Sequence, residues 1–146
     1  MVGMEILKPL VVLAAWTMVM WVWMYVTRIP AMGKAGIDSK GLVGSTPSSL
    51  DAVLPPEVQW KAHNYNHLHE APTVFYAVAI VLAIVGQGGG LNATLGWAYV
   101  ALRILHSLVQ ATVNRVMVRF VLFALSSLVL MALTLHAGIA VWHMHG

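Results

Sequence analysis

Apolar residues gather into four stretches long enough to cross a bilayer, and the segments between them differ sharply in length. The first runs from about Ile6 to Thr27, with Lys8 and Pro9 at its entry and Trp16, Trp21, Trp23 and Tyr25 weighted toward its exit. Aromatic rings near a span end suit the membrane interface. From Arg28 to Pro56 the pattern is lost among Gly33, Gly36, Gly41, Gly44 and Pro47, with Arg28, Lys34 and Lys40 interspersed. A segment of this kind reads as an irregular loop, of the size used for lids, binding loops or linkers.

Pro55-Pro56-Glu57 marks the next helix start, because proline at the first helical position loses no hydrogen bond and an acid there faces the positive end of the helix dipole. The pattern carries this second helix to Gly86, roughly 30 residues or about 45 Å, well beyond a hydrocarbon core of about 30 Å. Only Ala71 to Gly86 is uniformly apolar, so the polar half belongs in protein interior or at the interface. Gln87-Gly88-Gly89-Gly90 is a tight break, Leu91 to Val113 a third span, Asn114 to Val118 a short turn and Arg119 to Trp142 a fourth span. Short connections make consecutive helices antiparallel neighbours. The predicted fold is therefore all-α, a four-transmembrane-helix bundle, with residues 1–146 as a single integral membrane domain.

Composition agrees. Hydrophobic residues make up 60% of the chain and charged residues 9%, against about 25% charged in soluble domains, and the mean hydropathy is +0.80. The segment Met1 to Glu5 lacks the basic start of a cleaved signal peptide, and the apolar stretch after it is long enough to span, so it reads as a retained first helix. Eight Lys and Arg spread without a run leave no footprint for nucleic acid. Cysteine is absent. Any thiol chemistry has to use a thiol brought by a substrate.

The chemistry concentrates in Lys61 to Tyr76, KAHNYNHLHEAPTVFY. His63, Asn66, His67 and Glu70 fall at i, i+3, i+4 and i+7, on one helical face that cannot point at lipid. Glu70 needs a partner or a wet cavity, since an ionisable group inside a membrane costs about 2.5 kcal/mol or more. Pro72 removes a donor and disrupts the turn that includes Leu68. The third span supplies a matching stripe in Arg103, His106, Ser107, Gln110 and Asn114, which makes Arg103 and Glu70 the expected mutual partners. Arg115 and Arg119 follow, placed to meet an anionic ligand or lipid phosphates. His63, His67 and Glu70 with His106 also have the spacing of metal ligands, but His69, Asn64 and Asn66 show a segment rich in polar groups of every kind, and no metal is expected.

The run Asn64-Tyr65-Asn66-His67-Leu68-His69-Glu70-Ala71-Pro72, ending in Phe75-Tyr76, and the run ALRILHSLVQATVNRVMVRF from Ala101 to Phe120 resemble the MAPEG family, membrane-associated proteins in eicosanoid and glutathione metabolism, and its bacterial branch in particular. With the span layout, the resemblance covers nearly the whole chain. It implies a homotrimer in the bacterial inner membrane that binds glutathione between subunits and acts on a lipophilic small molecule as a transferase or peroxidase. The family also includes a non-enzymatic member, so a lipid-binding or docking protein is the alternative.

Carried onto this chain, the resemblance makes Glu70 the family's second-helix glutamate, Arg103 its third-helix arginine, and Asn64 or Asn66 its asparagine. Lys61 stands near the place of a second-helix arginine, and His106 and Gln110 stand where tyrosines are usual. The candidate ligand-binding set is thus Lys61, His63, Asn64, Asn66, His67, Glu70, Arg103, His106, Gln110 and Asn114. Arg115 or Arg119 is the candidate for activating the thiol, because a nearby guanidinium favours thiolate.

Arg28, Lys34, Lys40, Lys61, Arg115 and Arg119 flank the spans on one side of the membrane and only Lys8 on the other. Positive residues stay inside, so both termini are expected outside the cytoplasm and the 28–56 loop within it. Reporter fusions at Gly146 test this: activity of a periplasm-dependent reporter is the expected result, and activity of a cytoplasm-dependent one reverses the orientation.

Overall fold

The computed structural model describes residues 3–36 and 54–144. Five helices lie within them: α1 Leu7–Lys34, α2 Pro56–His67, α3 Ala71–Ile84, α4 Gly90–Ala111 and α5 Val116–Trp142. No strand occurs among the described residues. Three stretches, Leu7–Lys34, Pro56–Ile84 and Val116–Trp142, are long and apolar enough to cross a membrane. At 22 residues, or about 33 Å, α4 has the length of a span, but its polar stripe lowers its apolarity. That stripe is turned inward. α4 packs against α1, α2 and α5, while α3 lies against α1 and α5.

The first helix runs seven residues past its expected end at Thr27, and the loop expected from Arg28 begins later. Pro30 sits inside the helix without ending it. Thr27 Oγ1 donates to the carbonyls of Trp23 and Met24, each at 3.0 Å, and the extension lines a shared cavity with Pro55 and Val58 at the start of α2. Gly36, at φ +71°, supplies the left-handed residue that ends many helices. The rest of the expected loop, 37–53, lies outside the described residues, as does His145.

The expected disruption at Pro72 is a full break. α2 ends at His67 and α3 restarts at Ala71, with Glu70 at φ −93° and ψ −103° between them. Proline cannot donate across this turn and its ring displaces the preceding carbonyls. Thr73 compensates in part, its hydroxyl donating to the carbonyl of His69 at 2.6 Å. Nor does the fourth helix wait for Arg119. Asn114 takes φ +51°, a conformation asparagine tolerates, and its N–H donates to the carbonyl of Val109 at 2.6 Å, so the turn closes early and α5 starts at Val116.

The core is built from Leu13, Met20, Leu68, Phe75, Leu82, Tyr99 and Leu133, all essentially inaccessible. Large apolar side chains elsewhere face outward, among them Ile84, Leu91, Met131, Leu135 and Trp142. Exposure of this kind is what a lipid environment requires.

The glycine break between α3 and α4 also anchors the segment before α1. Ile6 N–H donates to the carbonyl of Gly88 at 2.9 Å, and a Cβ on Gly88 would stand 2.1 Å from the Gly3 oxygen and 2.7 Å from Ile6 Cγ2. Gly88→Ala is therefore expected to lower stability by about 1–3 kcal/mol, the usual cost of overpacking. Gly138→Ala, on α5 with nothing within 4 Å, is the control and should not destabilise. Thermal unfolding in detergent measures both; equal stabilities would show that the anchor bears no strain.

Candidate functional site

Ser107 is the point where three spans meet. Its hydroxyl oxygen accepts from Trp16 Nε1 on α1 at 2.8 Å and from Asn64 Nδ2 on α2. Asn64 and Ser107 are both fully buried. Around this junction the stripe of α4 is inside the protein, with Arg103 1% exposed, His106 3% and Gln110 8%.

Much of this buried polarity has no hydrogen-bond partner among the described residues. Among the described residues, Arg103 Nε, Nη1 and Nη2 make no hydrogen bond, and neither do Tyr76 Oη, Tyr99 Oη, His106 Nδ1, Gln110 Oε1, Asn64 Oδ1 or Arg119 Nε. Buried polar groups are normally satisfied. Here the unsatisfied ones come from α2, α3, α4 and α5 and include a complete guanidinium.

The expected ion pair between Glu70 and Arg103 is not formed. Glu70 Oε2 instead meets His67 Nδ1 at 2.8 Å, with the Glu70 side chain 67% exposed and that of His67 22%. The cause is the helix break: Glu70 sits in the turn, outside α2, so it does not follow His63 and His67 on a helical face. His63 and Asn66 lie on the exposed side of α2, and the buried polar positions of that helix are Gln59 and Asn64. The expected single helical face of His63, Asn66, His67 and Glu70 is thereby corrected at Glu70, which the break sets apart from the other three.

Lys61 is engaged elsewhere. Its Nζ donates to the carbonyl of Glu57 at 2.9 Å and lies 5.5 Å from the Trp23 ring centre, tying α2 to α1. The His67 and His106 rings approach to 5.0 Å between centres. They line a cavity of about 270 Å³ with Val116, Arg119, Phe120 and Phe123. Arg119 is held there by a hydrogen bond from Nη1 to Asn114 Oδ1. Arg115, the residue before α5, is exposed and is not part of that lining. No group of three or more His, Asp or Glu side chains suited to a metal ion occurs among the described residues.

Sequence reasoning missed three contributors. Tyr99 continues the α4 stripe, four residues before Arg103, and stacks on Phe75 at 4.6 Å between ring centres; the stripe's own periodicity extended backward would have included it. Tyr76 closes the aromatic end of the second-span motif and brings another buried hydroxyl. Trp16 carries no such signal, because a tryptophan in an apolar span looks like any large hydrophobe.

A helical protein whose outer surface is apolar and whose interior holds unpaired cationic and hydroxyl groups is an integral membrane protein with an internal polar site. The chain belongs to the MAPEG family, whose family model matches residues 6–139. No curated protein and no solved structure matches the chain.

If Ser107 is the junction of three spans, Ser107→Ala leaves the Trp16 and Asn64 donors unpaired. The expected loss is about 1–2 kcal/mol, the size of two modest interhelical hydrogen bonds. It is read as a lower unfolding midpoint in detergent or urea; an unchanged midpoint removes Ser107 from that role.

Proposed function

We propose that this protein is a membrane-bound glutathione transferase or peroxidase-like enzyme acting on lipophilic electrophiles. It works as a homotrimer of the family's bacterial branch, placed in the inner membrane with both termini outside the cytoplasm. The observation that carries the reading is Arg103, a buried guanidinium with no hydrogen-bond partner among the described residues, in a chain of a family named for glutathione metabolism.

Glutathione has two carboxylates, an ammonium and a thiol, and the residues present fit that set. Arg103 offers charge-assisted donors to a carboxylate, and such bonds are roughly twice as strong as neutral ones. The Gln110 oxygen is an unused acceptor. Glu70 keeps most of its side chain exposed, available to an ammonium approaching from outside the protomer. Arg119 stands in the cavity beside His67 and His106, where a guanidinium favours thiolate over thiol.

The second reading, a non-enzymatic protein that binds lipid or docks with a larger membrane complex, draws on a different feature. An open apolar groove of about 860 Å³ runs along α5 beside Val74, lined by Leu130, Met131, Leu135, Ile139 and Trp142 among others. No titratable group of the Arg103 cluster lines it.

Two substitutions test the enzyme reading. Glu70→Gln is expected to weaken glutathione binding by about 1.5–3 kcal/mol, the value of a hydrogen bond to a charged group. Arg119→Gln is expected to raise the bound thiol's pKa and slow conjugation of a generic electrophile, with a smaller change in binding. Calorimetry and thiolate absorbance in a native-like membrane separate the two effects. Wild-type protein that binds no glutathione at millimolar concentration overturns the reading in favour of the lipid-binding or docking one.

A further inference from the structure

The glutathione reading leaves open where the thiol proton goes, and the arginines are poor receivers, because a guanidinium stays protonated in proteins. Three features at the joint between α2 and α3 address this. His67 Nδ1 is bound to Glu70 Oε2 at 2.8 Å. Neither residue is buried away from the outside, at 22% and 67% side-chain exposure. And His67 lines the cavity that also holds His106 and Arg119, walled by Phe120, Phe123 and Val116.

A carboxylate on one imidazole nitrogen fixes the tautomer: Nδ1 carries the hydrogen and Nε2 keeps its lone pair. The same pairing orients the histidine of serine hydrolases and stabilises the imidazolium once it forms. The pair spans i and i+3 across the end of α2, a spacing at which side chains are neighbours, and Glu70 in the turn reaches back to His67.

We infer that His67, held by Glu70, is the general base that removes the proton from a thiol bound in this cavity. The inference rests on the glutathione reading and adds a catalytic residue to it. In the step, the S–H bond breaks and its proton passes to His67 Nε2. The sulfur, now thiolate beside the Arg119 guanidinium, forms a bond to the electrophilic carbon. With an aryl halide the carbon–halogen bond breaks, halide leaves, and the imidazolium returns its proton to water. Nothing is oxidised or reduced, and no further reactant is needed. Phe120, Phe123 and Val116 give the electrophile an apolar wall against which to lie.

The charged and titratable groups around this imidazole are Glu70 from the α2–α3 turn, Arg103 and His106 from α4, and Arg119 from α5. A pH profile alone would not single out His67, so the test joins it to rescue. Wild-type protein, His67→Ala and His106→Ala are compared in lipid nanodiscs, with glutathione and chlorodinitrobenzene as the probes. His67→Ala is expected to bind glutathione near wild-type affinity and to lose about a hundredfold or more in kcat, the usual contribution of a general base. Its rate should lose the acidic limb of the pH profile and recover in part with added imidazole. Rescue is the readout that a purely structural role would not produce. His106→Ala should keep the acidic limb. If His67→Ala binds glutathione and turns over like wild type, or is slow but unmoved by imidazole, His67 is not the base and the glutathione reading survives. If wild type binds no glutathione, both fall together.

Discussion

In an apolar solvent every polar side chain must find its partner within the protein, and among the described helices α4 buries more of them than any other. Arginine, histidine, serine and glutamine recur along one face of it, and an arginine at membrane depth costs about 2.5–3.5 kcal/mol when turned to lipid. The only economical arrangement puts that face against the other helices. α1 answers with the Trp16 indole, α2 with the Asn64 amide, and both converge on Ser107. The bundle is organised around the inward stripe, with greasy surface left outside.

Among the described residues the same constraint is only half met. Ser107 is satisfied, but the Arg103 guanidinium, the Tyr99 hydroxyl and the Gln110 oxygen find no partner among the described residues. A folded protein that keeps a complete guanidinium buried without an acid sacrifices stability, since apolar replacement of buried charge is often neutral or stabilising. Sites held ready for a ligand commonly show this trade between stability and activity. The break at Pro72 leaves Glu70 in the turn after α2, paired with His67 and not with Arg103.

The order and type of the helices could be read from the sequence because hydrophobic periodicity and punctuation by Gly and Pro report directly on them. So could the inward direction of Arg103, His106, Ser107 and Gln110, since a polar stripe in a membrane has nowhere else to go. What failed was geometry across a break. Treating Lys61 to Tyr76 as one helix put Glu70 on the face of His63 and His67 and paired it with Arg103, whereas the turn at Leu68 to Glu70 sends the carboxylate back to His67. Helix ends were misjudged for a related reason. The loop is expected from Arg28, yet α1 continues to Lys34 where it lies against α2, and Asn114 in a left-handed conformation shortens the turn before α5. Residue type alone does not show which local signal a tertiary contact will override.

Arg103→Met addresses the central claim, that the buried guanidinium is kept for a ligand anion at the expense of the ligand-free fold. Thermal unfolding without ligand and calorimetric titration with glutathione are measured on the same nanodisc preparations of wild type and variant. The variant should be as stable as wild type or more so, because an unpaired buried charge has been exchanged for a side chain of similar bulk. It should also bind glutathione at least about tenfold more weakly, or about 1.4 kcal/mol. A variant that unfolds earlier yet binds glutathione as tightly as wild type would show that Arg103 holds the helices together and takes no part in the site.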